Sequence, residues 1–312
     1  MSGFPANIID GLKGILPKKS IKNRLINVEN LNRNFDSLKQ GEREYTLKKM
    51  FEDENPEIRK LGAGIFAKNF MKISDKKQSE ILQILARDDN ASVRFYAGAA
   101  IAKNFETADP KIQQHVISKL ASDKSESVRE WIAYTLSWTY MSLPKKMREN
   151  LLVEFASDRD SYIRYFVTNP LKDNYRDIPV KIREDLLVKL SDDYDTDVRL
   201  QVVRSLANNF IQIHRNMREK LLKKFLYDTE LEILTEVARA LKMHNEYITL
   251  ELKDKIVNEI EDRLKVVSGM KKDEVSRIRE YLDEFRGVKK EAAHEERENK
   301  KEREKLSRDL LG

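Results

Sequence analysis

The sequence of 312 residues has no cysteine, only 10 glycines and only 7 prolines. Without cysteine it can form no disulfide framework, zinc knuckle, iron–sulfur cluster or thiol nucleophile. The scarcity of glycine and proline argues against a β-sandwich or a β-barrel, because those folds need many tight turns. No apolar run approaches the ~20 residues that span a bilayer, and no signal-peptide pattern opens the chain. We therefore expect a soluble, cytoplasmic protein.

Catalytic and metal-binding motifs are also missing from the sequence. The four histidines are scattered, and none has the spacing of a metal ligand: His115, His214, His244 and His294. There is no glycine-rich phosphate loop, nucleophile elbow or His-Glu-x-x-His helix. We accordingly predict no catalytic residue, no bound metal and no cofactor.

The sequence repeats with a strict period of 35 residues. An Arg recurs at Arg59, Arg94, Arg129, Arg164 and Arg199, always after a β-branched residue. An Asp recurs at Asp53, Asp88, Asp123, Asp158, Asp193 and Asp228, and an aromatic residue follows each Arg by eleven positions. A sixth copy keeps Asp228 but has Leu234 in place of the Arg, as a degenerate terminal repeat does. Residues that recur in every copy indicate a structural role, because a catalytic residue occurs once.

Each copy is predicted to fold as two helices. Before the repeated Asp, apolar residues follow a helical spacing, for example Met147, Leu151, Leu152 and Phe155. The Asp-rich turn then offers N-capping side chains to a second helix that begins near the Arg. Neither helix can bury its apolar face alone, so neighbouring copies are expected to stack.

The pattern of a helix, then Asp-x-x-x-x-Val-Arg opening a second helix, resembles the HEAT-repeat family, close kin of armadillo repeats. The resemblance covers about residues 42–267. It implies an all-α, right-handed α-solenoid of about six hairpins, with capping helices at both ends and a concave face lined by the second helices. It also implies a ladder of Asp–Arg pairs between adjacent repeats, in which Asp88, Asp123, Asp158 and Asp193 face Arg94, Arg129, Arg164 and Arg199. The family as a whole implies interaction rather than catalysis.

We divide the chain into an N-terminal basic arm or capping helix (residues 1–36), a HEAT-like solenoid (37–267) and a C-terminal capping helix with a charged tail (268–312). Residues 1–50 hold ten basic and five acidic side chains, so most of the net charge of +6 lies there. The arm either caps the first repeat or contacts a membrane surface or a polyanion. Beyond Gly287 almost no apolar residue occurs, which predicts a solvated helix or a disordered tail.

The central copies are irregular in a way that suggests a binding surface. Positions one, two and five after the repeated Arg are mostly polar or small in the outer copies but mostly aromatic in the middle ones. The predicted strip comprises Phe95, Tyr96, Trp131, Tyr134, Trp138, Tyr165 and Phe166. Such rings either form an exposed anchor site or fill gaps between helices, and the sequence leaves both open. In the fourth copy, Pro170 predicts a kink or break of the second helix at residues 168–170.

Two functions are compatible with these features. The first is a non-enzymatic scaffold that binds a protein or peptide along the concave groove. The alternative is a nucleic-acid-binding protein, related to HEAT-like DNA glycosylases, with Arg204 and Arg239 near the groove. Residues 151–200 hold eleven acids and eight bases, so the basic field would be interrupted. We favour the scaffold, and we expect contact with a membrane at most through the N-terminal arm.

Overall fold

The computed structural model describes residues 21–267 and 272–286, and every regular element in these ranges is helical. The apolar stretch at residues 8–16 and the tail after Gly287 lie outside them. The α-helices are α1 Ile21–Asn34, α2 Gln40–Phe51, α3 Pro56–Lys68, α4 Asp75–Leu85, α5 Ala91–Lys103, α6 Pro110–Ala121, α7 Glu126–Thr139, α8 Lys145–Phe155, α9 Ser161–Asp173, α10 Val180–Leu190, α11 Thr196–Asn208, α12 Arg215–Phe225, α13 Leu231–Met243, α14 Leu250–Val267 and α15 Lys272–Arg286. Short 3₁₀ turns lie at Phe35–Ser37, Phe70–Lys72, Tyr140–Ser142, Tyr175–Asp177 and Asn245–Tyr247. No helix within the described residues is long and apolar enough to cross a bilayer.

The helices form stacked hairpins, which confirms the predicted all-α solenoid of HEAT-like repeats. Second helices of neighbouring copies pack together, as α1 does on α3, α3 on α5 and α5 on α7, and first helices form another layer, as in α2 on α4 and α4 on α6. The chain divides into two compact units, residues 1–167 and 168–312. In the second unit α11 packs on α13, and α13 packs on α15.

The Asp-rich turn between the two helices is closed by its own side chains. The repeated Asp accepts a hydrogen bond from the backbone N–H two residues later, as Asp88 does from Asn90 at 2.8 Å. The residue in the N-cap position then accepts from the first turn of the second helix, as Asn90 does from Ser92 at 2.9 Å. Each short polar side chain thus satisfies a donor that the helix end would leave free.

In four copies the repeated Arg links its own turn to the turn of the next copy. Its guanidinium donates two hydrogen bonds of 2.6 to 3.0 Å to an Asp carboxylate 29 residues later. The pairs are Arg59 with Asp88, Arg94 with Asp123, Arg129 with Asp158 and Arg199 with Asp228. The same Arg donates to the backbone carbonyl of the Asp in its own copy, so that Arg94 contacts Asp88 only at its carbonyl, at 2.8 Å. The predicted pairing of each Arg with the Asp carboxylate of its own copy is therefore wrong. Each Arg of these pairs bonds the carboxylate of the next copy instead.

Both ends of this Asp–Arg ladder involve residues that the sequence analysis did not assign to it. Arg24 of α1 is buried and donates two hydrogen bonds of 2.9 Å to Asp53, as the repeated Arg does in every later pair. Phe35 follows Arg24 by eleven residues and is buried like the other closing aromatics. At the other end, Leu234 cannot donate, and Arg263 of α14 donates instead to the backbone carbonyls of Leu226 and Asp228.

A second periodic series holds the opposite end of each hairpin. A side chain in the first helix donates to the carbonyl of the closing aromatic eight residues earlier; the donors are Arg43, Gln78, Gln113, Arg148, Arg183 and Arg218. Four of these are arginines whose guanidinium carbon also lies 4.3 to 5.7 Å from the centroid of the aromatic ring below it. The ring is buried and its carbonyl is paired, so the turn is fixed in every copy.

The predicted break in the fourth copy is wrong, because α9 continues through Pro170 to Asp173. Pro170 removes the one bond that an N–H at this position would donate to the Phe166 carbonyl, but it lies in the last turn, so that only residues 171–173 of the helix follow it. The last carbonyls have other donors: the Asn209 amide donates to Leu171 and Lys172 at 3.2 and 2.9 Å, and the backbone N–H of Asn174 donates to Pro170 at 2.8 Å.

We predict that Arg129→Ala lowers the free energy of unfolding by about 1–3 kcal/mol, because it leaves the largely buried Asp158 carboxylate without its guanidinium. Binding of a partner by the remaining folded protein should be unchanged. The measurement is chemical denaturation followed by circular dichroism. Arg215→Ala is the control, since Arg215 forms an exposed pair with Glu219 one turn away, and its unfolding midpoint should hardly move. Equal midpoints for both variants would contradict a structural ladder.

A pH dependence follows from Asp158. Burial raises the pKa of this carboxyl, but hydrogen bonds from Arg129 and the Asp160 N–H, with the charges of Arg129 and Arg164, outweigh burial and hold the pKa below its ordinary value of 3.8. The stabilisation is therefore present above pH 3.8 and is lost as the pH falls through the lower folded-state pKa. The difference in unfolding free energy between wild type and Asp158→Asn should be constant near neutrality and shrink below that pH. A difference that grows on acidification would contradict the assignment.

Candidate functional site

Seven aromatic side chains of α5, α7 and the first turns of α9 lie in one unbroken series of ring contacts within the first unit. We call them the aromatic strip: Phe95, Tyr96, Trp131, Tyr134, Trp138, Tyr165 and Phe166. Successive ring centroids are 5.4 to 6.3 Å apart, with ring planes at 62 to 90°. Tyr134 lies at the centre, where its ring contacts Trp131, Trp138 and Phe166. The rings that the sequence analysis grouped together are thus in mutual contact.

The register of the repeats explains why these rings meet. Phe95 directly follows the ladder residue Arg94, and Trp131 lies two positions after Arg129. The two rings therefore lie side by side on neighbouring helices, with centroids 5.6 Å apart. Along α7, Trp131, Tyr134 and Trp138 are three and four residues apart and share one face. The two helices approach closely here, since a Cβ added at Gly98 of α5 would lie 3.4 Å from the Trp131 Cβ of α7.

The strip is neither core nor fully open surface. Trp138 is 72% exposed and Tyr134 is 40% exposed, whereas the other five rings are half-buried. A tryptophan that exposes most of its surface contributes little to the fold, and its apolar area is available to a partner.

A cavity of about 320 Å³ opens on the strip, lined by Phe95, Glu130, Trp131, Tyr134 and Phe166. Its lining is four rings and a single carboxylate. Partial burial raises the pKa of Glu130, and the negative charges of Asp160 and Glu126 raise it further. A cavity with apolar walls and one charged group is the usual arrangement of a small-ligand or side-chain pocket.

Glu130 was missed by the sequence analysis. It occupies the position directly after Arg129, where the neighbouring copies have Phe95 and Tyr165. The sequence does distinguish Glu130, since it is the one acidic residue at a position that is aromatic in the two neighbouring copies.

The two arginines predicted near the groove belong to the second unit and are already paired. The Arg204 guanidinium lies 3.4 Å from Glu236 and 3.7 Å from Glu232, and Arg239 lies 2.6 Å from Glu236. The Glu236 carboxylate thus neutralises both groups in part. Neither arginine is among the residues that line the cavity of the strip.

A larger cavity of about 830 Å³ lies between two successive Asp-rich turns, residues 122–129 and 154–160. Its charged lining includes Asp123, Arg129 and Asp158, whose side chains are engaged in the ladder. Among the described residues, no group of His, Cys, Asp or Glu is placed to hold a metal ion. The strip and its cavity are therefore the candidate site.

Comparison with known proteins identifies the fold and nothing narrower. No family model matches the sequence, and no curated protein matches it. Among solved structures, Cex1p matches with a TM-score of 0.57, 12% identity and coverage of 83% of this chain and 54% of that one. The Escherichia coli protein YibA matches with a TM-score of 0.53, 18% identity and coverage of 89% and 92%. Kap121p bound to Ste12p matches with a TM-score of 0.53, 13% identity and coverage of 91% of this chain and 33% of that one. This chain therefore spans about half the length of Cex1p and a third of Kap121p.

The exposures of the two tryptophans lead to a spectroscopic prediction. In Trp131→Phe, which retains only Trp138, emission should be red-shifted and strongly quenched by acrylamide, because the indole is mostly in water. In Trp138→Phe, which retains the half-buried Trp131, emission should be bluer and quenching weaker. Equal shielding of both indoles would contradict an exposed strip.

Proposed function

We propose that this HEAT-like α-solenoid is a non-enzymatic scaffold that binds a protein or peptide along the aromatic strip. The observation that supports it is a set of seven touching rings, of which Trp138 and Tyr134 are substantially exposed. Large aromatic side chains are the residues most often found as energetic anchors of protein interfaces. The fold itself is neutral between functions, so the proposal depends on the strip.

The rings contact one another without a partner. Each ring of the strip makes at least one edge-to-face contact with another ring. A surface that is ordered in advance loses little side-chain entropy on binding, which favours affinity. The strip therefore offers a partner both apolar area and a fixed shape.

Charge favours a polypeptide partner over a nucleic acid. The charged residue that lines the strip cavity is Glu130, and a carboxylate repels phosphate. The arginines that could have contacted a phosphate backbone, Arg204 and Arg239, are paired with Glu236. Kap121p, which is similar in fold, was solved bound to Ste12p, and this is consistent with a scaffold only by analogy.

The proposal is tested by affinity capture from an extract of the source organism, with and without nuclease. Trp138→Ala removes an exposed aromatic side chain, so the melting temperature should stay near that of wild type. The binding free energy of the captured partner, measured by titration, should become less favourable by about 2 kcal/mol or more. The matched control is Tyr227→Ala, an aromatic of similar exposure (64%) in the second unit, which should bind as wild type does. Capture that is unaffected by Trp138→Ala, or abolished by nuclease, would contradict the proposal.

A further inference from the structure

The cavity of the strip is the one feature of the candidate site that has chemistry beyond apolar contact. Four rings, from Phe95, Trp131, Tyr134 and Phe166, surround it together with the Glu130 carboxylate. Among the described residues, no cation lies over these four rings and none forms an ion pair with Glu130. An electron-rich wall and an uncompensated carboxylate thus face the same space.

The same chain places cations against aromatic walls elsewhere. An arginine guanidinium lies over the ring of Phe35, Tyr140, Tyr175 and Phe210, at 4.3 to 5.7 Å from the centroid, and a lysine lies over Tyr45, Tyr281 and Phe285, at 5.2 to 5.9 Å. At the four arginine positions the guanidinium also donates a hydrogen bond to the carbonyl oxygen of that aromatic residue. The cavity of the strip has the rings and an oxygen acceptor, but the cation is not supplied from within the described chain.

We propose that this cavity is an aromatic cage that takes the guanidinium of an arginine side chain from the partner polypeptide, with Glu130 as its acceptor. The inference rests on the proposed function and names the group that the strip selects. A guanidinium is planar, stacks on aromatic faces and is more weakly hydrated than an ammonium, and its parallel N–H donors match the two oxygens of a carboxylate. The ammonium of lysine is more strongly hydrated, and its three donors point in different directions and cannot form two parallel bonds to a carboxylate.

The electrostatic surroundings of Glu130 support a cationic occupant. Partial burial together with the negative charges of Asp160 and Glu126 raises the pKa of this carboxyl, and no neighbouring cation offsets them. A guanidinium beside Glu130 would relieve that repulsion. The nearest arginine in sequence, Arg129, is committed to Asp158 through two hydrogen bonds and cannot act as the occupant without breaking the ladder.

The test uses two small probes of equal shape, N-acetyl-arginine amide and N-acetyl-citrulline amide, of which the second lacks the charge. They are titrated into the full chain carrying Trp138→Phe, so that Trp131 in the cage wall is the only tryptophan and its emission can be excited selectively. The arginine probe should saturate, in the millimolar range expected for a single side chain, and the citrulline probe should bind at least about five-fold more weakly. A lysine analogue should also bind more weakly than the arginine probe.

Glu130→Gln should weaken binding of the arginine probe at least about five-fold without lowering the melting temperature, since among the described residues Glu130 forms no ion pair or hydrogen bond that the change would remove. Tyr134→Leu, which removes one ring of the cage, should weaken the probe as well. The control Glu106→Gln removes the same charge from an exposed position outside the cavity lining and should bind as the parent does.

Equal affinity for arginine and citrulline, tighter binding of the lysine analogue, or an unchanged affinity in Glu130→Gln would overturn the cage. These outcomes are separate from those that judge the scaffold. Partner capture that still depends on Trp138, in a protein that does not discriminate the probes, would retain the scaffold and reject the cage. Charge-dependent probe binding without Trp138-dependent capture would do the reverse.

Discussion

The interaction on which the rest of the molecule depends is the hydrogen-bonded pair between the Arg of one repeat and the Asp of the next. One guanidinium holds a carboxylate in the following turn and a carbonyl in its own turn, as Arg94 does with Asp123 and Asp88. Two turns are thereby fixed in distance and in register, and the apolar faces of adjacent helices meet at constant positions. Exposed ion pairs contribute little to stability, but these groups are largely buried and leave a costly unpaired partner if either is removed. The ladder consequently determines how every second helix lies on its neighbour within a unit.

The candidate site follows from this register. Because the Arg residues of successive copies are aligned, the positions just after them lie side by side, and a ring placed there in one copy contacts a ring in the next. Phe95 meets Trp131 in this way, and Tyr134, a turn further along α7, meets Phe166. A surface that crosses three helices thus arises from changes at a few equivalent positions, without any change in the scaffold. Glu130 is placed in the cavity by the same rule, since it follows Arg129 directly.

The fold could be predicted from the sequence because the same residues recur every 35 positions. The partners of individual side chains could not be predicted, because they depend on how neighbouring helices are placed. The helical hairpins and their stacking follow from the spacing, and the pairing of Asp with Arg from the resemblance to HEAT repeats, but neither tells which copy of Asp a given Arg reaches. Arg24 lies 35 residues before Arg59 and therefore fits the same period, but the many basic residues around it favour the interpretation as a separate arm. The rings of the strip could be grouped by their positions in the repeat, but their exposure could not be predicted. Trp131 and Trp138 share a helix face, yet Trp131 is half-buried and Trp138 is exposed. The continuation of α9 past Pro170 could not be predicted either, because the effect of a proline depends on how much of the helix follows it.

The offset of the ladder by one copy has a consequence for how such an array grows. Within a unit, each 35-residue segment contributes an Arg to the copy after it and an Asp to the copy before it, so a duplicated segment inserted at the Asp-rich turn would find a partner on both sides. At the two ends of the described ladder, Arg24 donates to the Asp53 carboxylate and Arg263 to the carbonyls of Leu226 and Asp228. A gene encoding this chain could therefore lengthen or shorten by whole repeats in a single recombination event and still specify a closed set of bonds. The specialised residues of the middle copies would remain untouched.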